Sequence, residues 1–473
     1  MIKRRITLDK IRLGFVPAHR VPFNEDWAAQ MRKRCLSVFA KIPDLEIVVP
    51  NESLTDRGFV RNDAEADKVI RFFRKNEIQG LIIGAMTFGD EVAALAVASA
   101  FRDKPVFLFG TKEAEITPEG LRSSDSFCGT LSISSGLHRR EIPFVFGGIV
   151  FPEEKKFQKS VRDFMGTCSV VNGFIGANIG LVGPRPERFE TCMYNEDAMV
   201  RLFRQRVVPT GLVDIMQRAA GIKKGAPELT KIAKNMKAQA DLSALNAQTI
   251  DKLARLEFAL KQFVYEKGLS AVGVQCWTAI QEVYGLSPCY VMGRLTDSGV
   301  MASCEVDIYG ALTMLIQYRA SLSKVAPHFI DWTIQHQKLA DTLLAWHCGN
   351  APPSLACKGC KPDISYHSIL GPSLGIDRSM GTGEFELKPG VVTLCRLQEY
   401  KGKFKMLVTK GDIIESKQVN RGSWSWVKVP NLYRLYTTLI NEGFVHHAGL
   451  IHGDYAQTIS DACKTMGIEV VTV

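Results

Sequence analysis

The sequence predicts an α/β protein: two Rossmann-like or flavodoxin-like parallel-sheet domains followed by a C-terminal β-rich, barrel-like domain. Three observations carry this expectation. Short apolar runs alternate with amphipathic helical patterns through the first third of the chain, as in a parallel sheet covered on both faces. A second such alternation opens at Ala177–Val182, and from about Ser365 the text becomes a series of strand patterns separated by turns.

At 473 residues, 46% hydrophobic and 23% charged, the chain is globular and long enough for two or three domains. It has no internal repeat and no low-complexity tract. The N-terminal MIKRRITLDKIRLGF lacks the apolar core of a signal peptide, and no apolar run reaches membrane-spanning length, so a cytoplasmic protein without membrane association is expected. Twelve cysteines scattered through such a chain are expected as reduced thiols, with no disulfide. The net charge of +10 is spread out, and clusters such as Lys3–Arg5 and Arg32–Arg34 are short and free of stacking aromatics. Nucleic acid is not the expected partner. A basic surplus suits an anionic small substrate.

In chain order, strands are expected at Ile11–Val16, Leu45–Val49, Leu81–Gly84 and Val106–Gly110, with helices over Glu25–Ile42, Ala64–Lys75 and Asp90–Phe101. Asp90 suits a helix N-cap. His19-Arg20 and Thr87–Glu91 follow the first and third strands, where an α/β sheet keeps its ligand-facing groups. A helix enters near Ser123, a strand spans Pro143–Phe151, and a helix at Glu154–Thr167 closes the first domain. Arg185 and Arg188, in the Gly183-Pro184-Arg185-Pro186 turn and just after it, suit an anion grip or a rigid surface turn. Asn246–Lys267 is the clearest amphipathic helix, ended by Gly268. Strands at Val391–Leu397, Phe404–Lys410 and Trp424–Val429 follow in the last third, then a loop over Gly443–His447, a helix at Tyr455–Met466 and a final strand at Ile468–Val473.

The chemistry is expected between Gly273 and Asp307. Ala271–Cys276 reads as a strand, Thr278–Tyr284 as one or two helical turns, and Pro288–Gly293 as a second apolar run, a β-α-β rhythm. It would gather Glu282, Glu305 and Asp307 near strand ends; for any one acid alone, a solvated surface charge is the commoner role. Two metal sets compete. His347-Cys348 with Cys357-x-x-Cys360 has one C-x-x-C pair but no second at the usual spacing for zinc. Glu282 and Asp307 with His446 or His447 form an oxygen-rich set suited to Mn²⁺ or another hard divalent cation.

The motifs C-W-x-x-x-x-E at 276–282, P-C at 288–289, D-x-G at 297–299, C-E-V-D at 304–307, H-C-G-N-A-P at 347–352, G-x-V-T-L-C-R at 390–396 and H-H-A-G-L-I-H-G-D at 446–454 resemble the L-fucose isomerase and L-arabinose isomerase superfamily. The resemblance implies three domains, over 1–168, 169–301 and 302–473, and an aldose–ketose isomerase. It implies Glu282 and Asp307 as metal-bound carboxylates that also form the acid–base pair, with Glu305 the alternative to Glu282. His447 is the implied metal imidazole and His347 an additional histidine. Arg20, Trp277, Glu305, His347, Asn350, Arg185 and His446 are the candidates for holding the sugar. A homo-oligomer, trimer or hexamer, is implied, with Arg20 and Thr87–Glu91 of one subunit completing a neighbour's pocket.

Those residue types fit the reaction. Aldose–ketose interconversion moves a proton between C2 and C1 and another between the two oxygens; a divalent ion stabilises the enediolate and carboxylates carry the protons. A hydride shift would use the same ligands. A neutral aldose is expected ahead of an anionic one such as 6-deoxy-6-sulfoglucose. The competing reading is a non-catalytic sugar-binding or regulatory protein on the same scaffold. A nucleotide-dependent oxidoreductase would want a G-x-G-x-x-G turn that Gly14-Phe15-Val16-Pro17 does not supply.

Overall fold

The computed structural model describes residues 10–415 and 418–473; the basic cluster Lys3–Arg5 lies outside them. Among the described residues the chain forms two compact units, one running to Asn172 and joined by Gln457–Gly467, the other made of Gly173–Ala456 with Ile468–Val473.

The first unit is built on β1 (Ile11–Ala18), β2 (Leu45–Val48), β3 (Gly80–Ala85), β4 (Val106–Thr111) and β5 (Phe144–Val150), all parallel in the order β2-β1-β3-β4-β5. Three of its helices start where side-chain caps demand it: Asn24, Asn62 and Asp90 each accept a hydrogen bond from a first-turn backbone N–H. Fully buried Phe15, Phe39, Phe107, Phe109 and Phe157 fill one side of the sheet. The segment Gln457–Gly467 is tied in by Thr167 Oγ1, which donates to the Thr458 carbonyl at 3.3 Å.

The second unit holds a parallel sheet and a larger mixed one. β6 (Asn178–Val182), β7 (Arg206–Thr210), β8 (Ala271–Val274) and β9 (Met301–Ser303) run parallel in the order β7-β6-β8-β9. Beyond them come β10 (His328–Gln335), β11 (Thr342–His347), β12 (Asp363–Tyr366), β13 (Met380–Glu386), β14 (Gly390–Tyr400), β15 (Lys403–Ile414), β16 (Ser423–Lys428), β17 (His447–His452) and β18 (Glu469–Thr472). Their order is β12-β13-β16-β11-β10-β17-β14-β15-β18, and a further pairing of β16 with β15 closes β16-β11-β10-β17-β14-β15 into an antiparallel ring. Ile330, Leu343, Leu394, Leu407, Val427 and Leu450 are among its buried core. Closure removes sheet edges that would otherwise need protection.

The helix Ile308–Ala320 joins the small sheet to this barrel. Apolar nearly all round, it is buried nearly all round. Two of its polar side chains reach the barrel: Gln317 Nε2 donates to the carbonyls of Gly449 (2.8 Å) and Thr393 (3.2 Å), and Thr313 Oγ1 accepts from the Leu397 N–H at 3.0 Å.

Three expectations are corrected. The apolar run at Pro288–Gly293 opens a helix, Cys289–Asp297, rather than a strand; an apolar run buried on all sides has no period that separates the two. The strand-rich region begins at His328, well before Ser365, because β10 and β11 pair through a register shift that blurs their alternation. Finally, Cys357 and Cys360 are disulfide-bonded: the turn closed by Cys360 N–H to the Cys357 carbonyl (2.9 Å) brings their Cα atoms to 5.2 Å, within bonding reach. That pair is not available to the thiolate metal set.

Candidate active site

The site grows from the tetrapeptide Cys304-Glu305-Val306-Asp307 at the end of β9. Glu305 (φ 50°) and Val306 (φ 58°) both sit in the left-handed region, which costs non-glycine residues about 1–3 kcal/mol each. Neighbours hold the turn: Val306 N–H donates to the Val274 carbonyl at 3.3 Å, Asp307 N–H to the Cys304 carbonyl at 3.0 Å, and Ser303 Oγ to the Asp307 carbonyl at 2.7 Å. Gly273 makes the approach possible, since a Cβ there would stand 3.0 Å from the Val306 Cα. The turn buries the Glu305 carboxyl, 4% exposed, and leaves Asp307 as N-cap of the helix Ile308–Ala320.

Asp307 is fully engaged. Its Oδ1 accepts from the Gly310 N–H (2.8 Å) and Arg396 Nη2 (3.2 Å); its Oδ2 accepts from Arg396 Nη1 and from His447 Nδ1 (2.8 Å). These four bonds fill the lone-pair positions of a carboxylate. Burial alone would raise its pKa, but the charge of Arg396 and the bond from His447 outweigh it and hold the group well below the ordinary carboxylate range. An ionised Asp307 accepts only, so His447 carries its proton on Nδ1 and turns an Nε2 lone pair the other way.

That lone pair faces two acids. His447 Nε2 lies 3.4 Å from Glu305 Oε2 and 3.7 Å from Asp331 Oδ1, and His347 Nε2 lies 3.8 Å from Glu305 Oε2. Asp331 is directly opposite His447 in the β10–β17 pairing, which sets both side chains on one face. Glu305 Oε2 and Asp331 Oδ1 are buried without a hydrogen-bond partner, a costly arrangement unless something else fills the space between them. Burial, with Cys276, Cys348 and Asp331 adding to it, pushes the Glu305 pKa well up, and burial raises Asp331 as well. Burial pulls His347 down, but Cys348 and Asp331 outweigh it and lift the ring to about 9.

Of the residues singled out from sequence, the structure brings together Glu305, Asp307, His347 and His447. Glu282 is not among them: it is exposed on the helix Ala279–Val283 and accepts from Thr278 Oγ1 at 2.8 Å. The helix that replaced the expected strand is part of the reason, since Glu282 and Asp307 do not stand at the ends of neighbouring strands. Trp277 is half-buried, its ring 6.2 Å from Phe189 and 5.7 Å from His367. Asn350 donates from Nδ2 to Cys304 Sγ at 3.3 Å. His446 is exposed, its ring 4.1 Å from that of His447, and Arg185 is exposed. Arg20 belongs to the first unit, where it pairs with Glu91 at 2.9 Å and lies over the Phe88 ring.

Asp331 is missing from the sequence-derived site and Arg396 enters it only as the last letter of a motif, although each left a signal. Both are ionisable residues within apolar strand runs, HFIDW and VTLCRL, where an unpaired charge would be prohibitive.

Comparison with known proteins agrees with this architecture. Residues 14–175 match the family described as fucose/sulfoquinovose isomerase, N-terminal domain, and residues 345–473 match L-fucose isomerase, C-terminal domain. Similar proteins include the sulfoquinovose isomerase of Alkalicoccus urumqiensis, 26% identical over 83% of this chain and 86% of that protein. Those of Priestia megaterium (24%, over 96% and 97%) and Clostridium sp. (25%, over 80% and 82%) are further examples. With both terminal domains matched in one chain and relatives running along nearly all of it, the chain belongs to the L-fucose isomerase-like family of aldose–ketose isomerases.

Proposed function

We propose that this isomerase works with a divalent cation held by Glu305, Asp331 and His447, with His347 beside them, and that its substrate is a sulfonated aldose. The observation that carries the metal reading is the pair of partnerless buried oxygens, Glu305 Oε2 and Asp331 Oδ1, aimed at the free nitrogen of His447. Two carboxylates with imidazole suit Mn²⁺. When bound, the cation supplies charge stabilisation for the enediolate at O1 and O2.

The rest is done by the protein. Asp307 fixes the tautomer and direction of His447, and with its own oxygens saturated it is a positioning residue rather than the ligand or acid–base group expected from sequence. Glu305 and Asp331 take over the two carboxylate roles: one removes the proton from carbon and returns it to the neighbouring carbon, the other serves the oxygens. Solvent deuterium appearing at C1 or C2 of the product tests that route; its complete absence sinks proton transfer in favour of a hydride shift.

The relatives' activity moves the preferred substrate from a neutral sugar to 6-deoxy-6-sulfoglucose, in keeping with the net charge of +10. NMR of purified Mn²⁺ enzyme with neutral, phosphorylated and sulfonated aldoses decides it, and turnover confined to neutral sugars would overturn the assignment. Exhaustive chelation is expected to abolish turnover, and Mn²⁺ to restore it. A cytoplasmic homo-oligomer, trimer or hexamer, completes the proposal, with sedimentation as its check. No described helix is long and apolar enough to cross a membrane.

A further inference from the structure

Four cysteines that the proposed chemistry does not use converge behind His347. Cys276 follows β8, Cys289 opens the helix Cys289–Asp297, Cys304 follows β9 and Cys348 follows β11; none is more than 5% exposed. Buried thiols ordinarily pack as small hydrophobes. These instead face one another and a histidine. Cys289 Sγ is 3.8 Å from Cys348 Sγ, and Cys348 Sγ is 3.1 Å from His347 Nδ1. The sulfurs of Cys304 and Cys348 and a ring nitrogen of His347 all lie within 4.8 Å of one another. Two sulfurs on one tetrahedral Zn²⁺, each at about 2.3 Å, stand about 3.8 Å apart.

We infer that Cys304, Cys348 and His347 Nδ1, with Cys289 as fourth donor, form a second cation site, selective for thiophilic ions such as Zn²⁺ or Cd²⁺. Soft sulfur donors discriminate against the hard ions that carboxylates prefer, so the two neighbouring sites sort cations by chemistry. An outer partner is already in place. His367 Nδ1 accepts from the N–H groups of Ile369 and Leu370, both at 3.3 Å, which leaves Nε2–H to bond the Cys348 sulfur.

The site is also a brake, a consequence that rests on the proposed role of His347 beside the carboxylates. Taking a cation costs the ring its second proton, and the neutral imidazole that remains has one lone pair. With that pair at Nε2, His347 serves the carboxylate centre and its Nδ1–H points to Cys348. A cation at Nδ1 sends the proton to Nε2, facing Glu305 Oε2 at 3.8 Å, and the hard site loses its auxiliary imidazole. Each coordinating thiol releases its proton to solvent as the ion binds.

The probe is Cd²⁺, titrated into the full chain carrying Cys128→Ser, Cys357→Ser and Cys360→Ser to silence the exposed thiol and the surface pair. A thiolate-to-cadmium ultraviolet band is expected to saturate at one ion per chain. Cys304→Ser or Cys348→Ser should weaken it by more than the roughly 10–100-fold typical of an outer-shell loss. Mn²⁺ affinity, read by electron paramagnetic resonance, should fall by roughly 5–150-fold once Cd²⁺ is bound. No band, or a band that survives both substitutions at full affinity, overturns the site. Should the serine variants fail to fold, cadmium NMR of the chain with its sulfur cluster intact decides, an oxygen-only chemical shift being the contrary result. Glu305→Gln is expected to keep the band. A sulfur band in a protein that binds no Mn²⁺ would therefore sink the carboxylate centre and leave this site standing.

Discussion

His447 and His347 are both buried, both stand at the end of a barrel strand, and both turn Nε2 toward Glu305; they differ in what holds them from behind. His447 is fastened by Asp307, a carboxylate whose every acceptor position is taken by Arg396, the Gly310 N–H and the ring itself. His347 is fastened by the single sulfur of Cys348 at 3.1 Å. A saturated anion commits its histidine to one tautomer. A single polarisable sulfur leaves the choice open. One ring is built as a fixed support and the other as an adjustable one, although both reach the same spot.

The largest effects should come from the acids both rings face. Glu305→Gln and Asp331→Asn are each expected to lower kcat by at least about 10²–10⁴-fold, because each removes a proton carrier. The fold should survive, judged by circular dichroism, since both substitutions are nearly isosteric. Normal turnover in either variant would remove that residue from the mechanism.

The rigid support can be broken in two steps. Arg396→Met leaves Asp307 as an uncompensated buried charge and should cost about 3–5 kcal/mol in denaturant unfolding. Adding Asp307→Asn removes that charge and should recover most of the loss, as buried ion pairs often contribute little net stability. His447 is then no longer held, so the double variant should bind Mn²⁺ about 10–100-fold more weakly despite its restored stability. Unchanged Mn²⁺ affinity in a stable double variant would show that the carboxylate does not orient the ring.

The same contrast explains what could be read from sequence. The first unit was legible almost element by element, because its strands are largely apolar runs, the helix Asp63–Lys75 carries a clean stripe, and Asp90 marks a helix start. The barrel hairpin Lys401-Gly402 and the helix Ala247–Lys267 were legible for similar local reasons. The site was not, because its parts are brought together by tertiary pairing. Asp331 meets His447 only through the register of β10 with β17, and Arg396 meets Asp307 across 89 positions of chain. The turn at Glu305 and Val306 uses left-handed backbone that no propensity anticipates for those residues.

The smallest effect is expected at Glu282, and it separates the two ways of reading the chain. The resemblance to the isomerase superfamily implies this acid as Asp307's catalytic partner. The folded chain instead leaves it exposed, accepting a hydrogen bond from Thr278 Oγ1 at 2.8 Å, four residues away. Glu282→Gln keeps that acceptor and changes only a solvated charge, so stability should move by no more than about 0.5 kcal/mol. kcat, KM and Mn²⁺ affinity should match the parent, whereas Glu305→Gln fails in the same assay. A drop of several orders of magnitude in the Glu282 variant would mean that this helix rearranges during turnover, and that the carboxylate pair assigned to Glu305 and Asp331 is the wrong one.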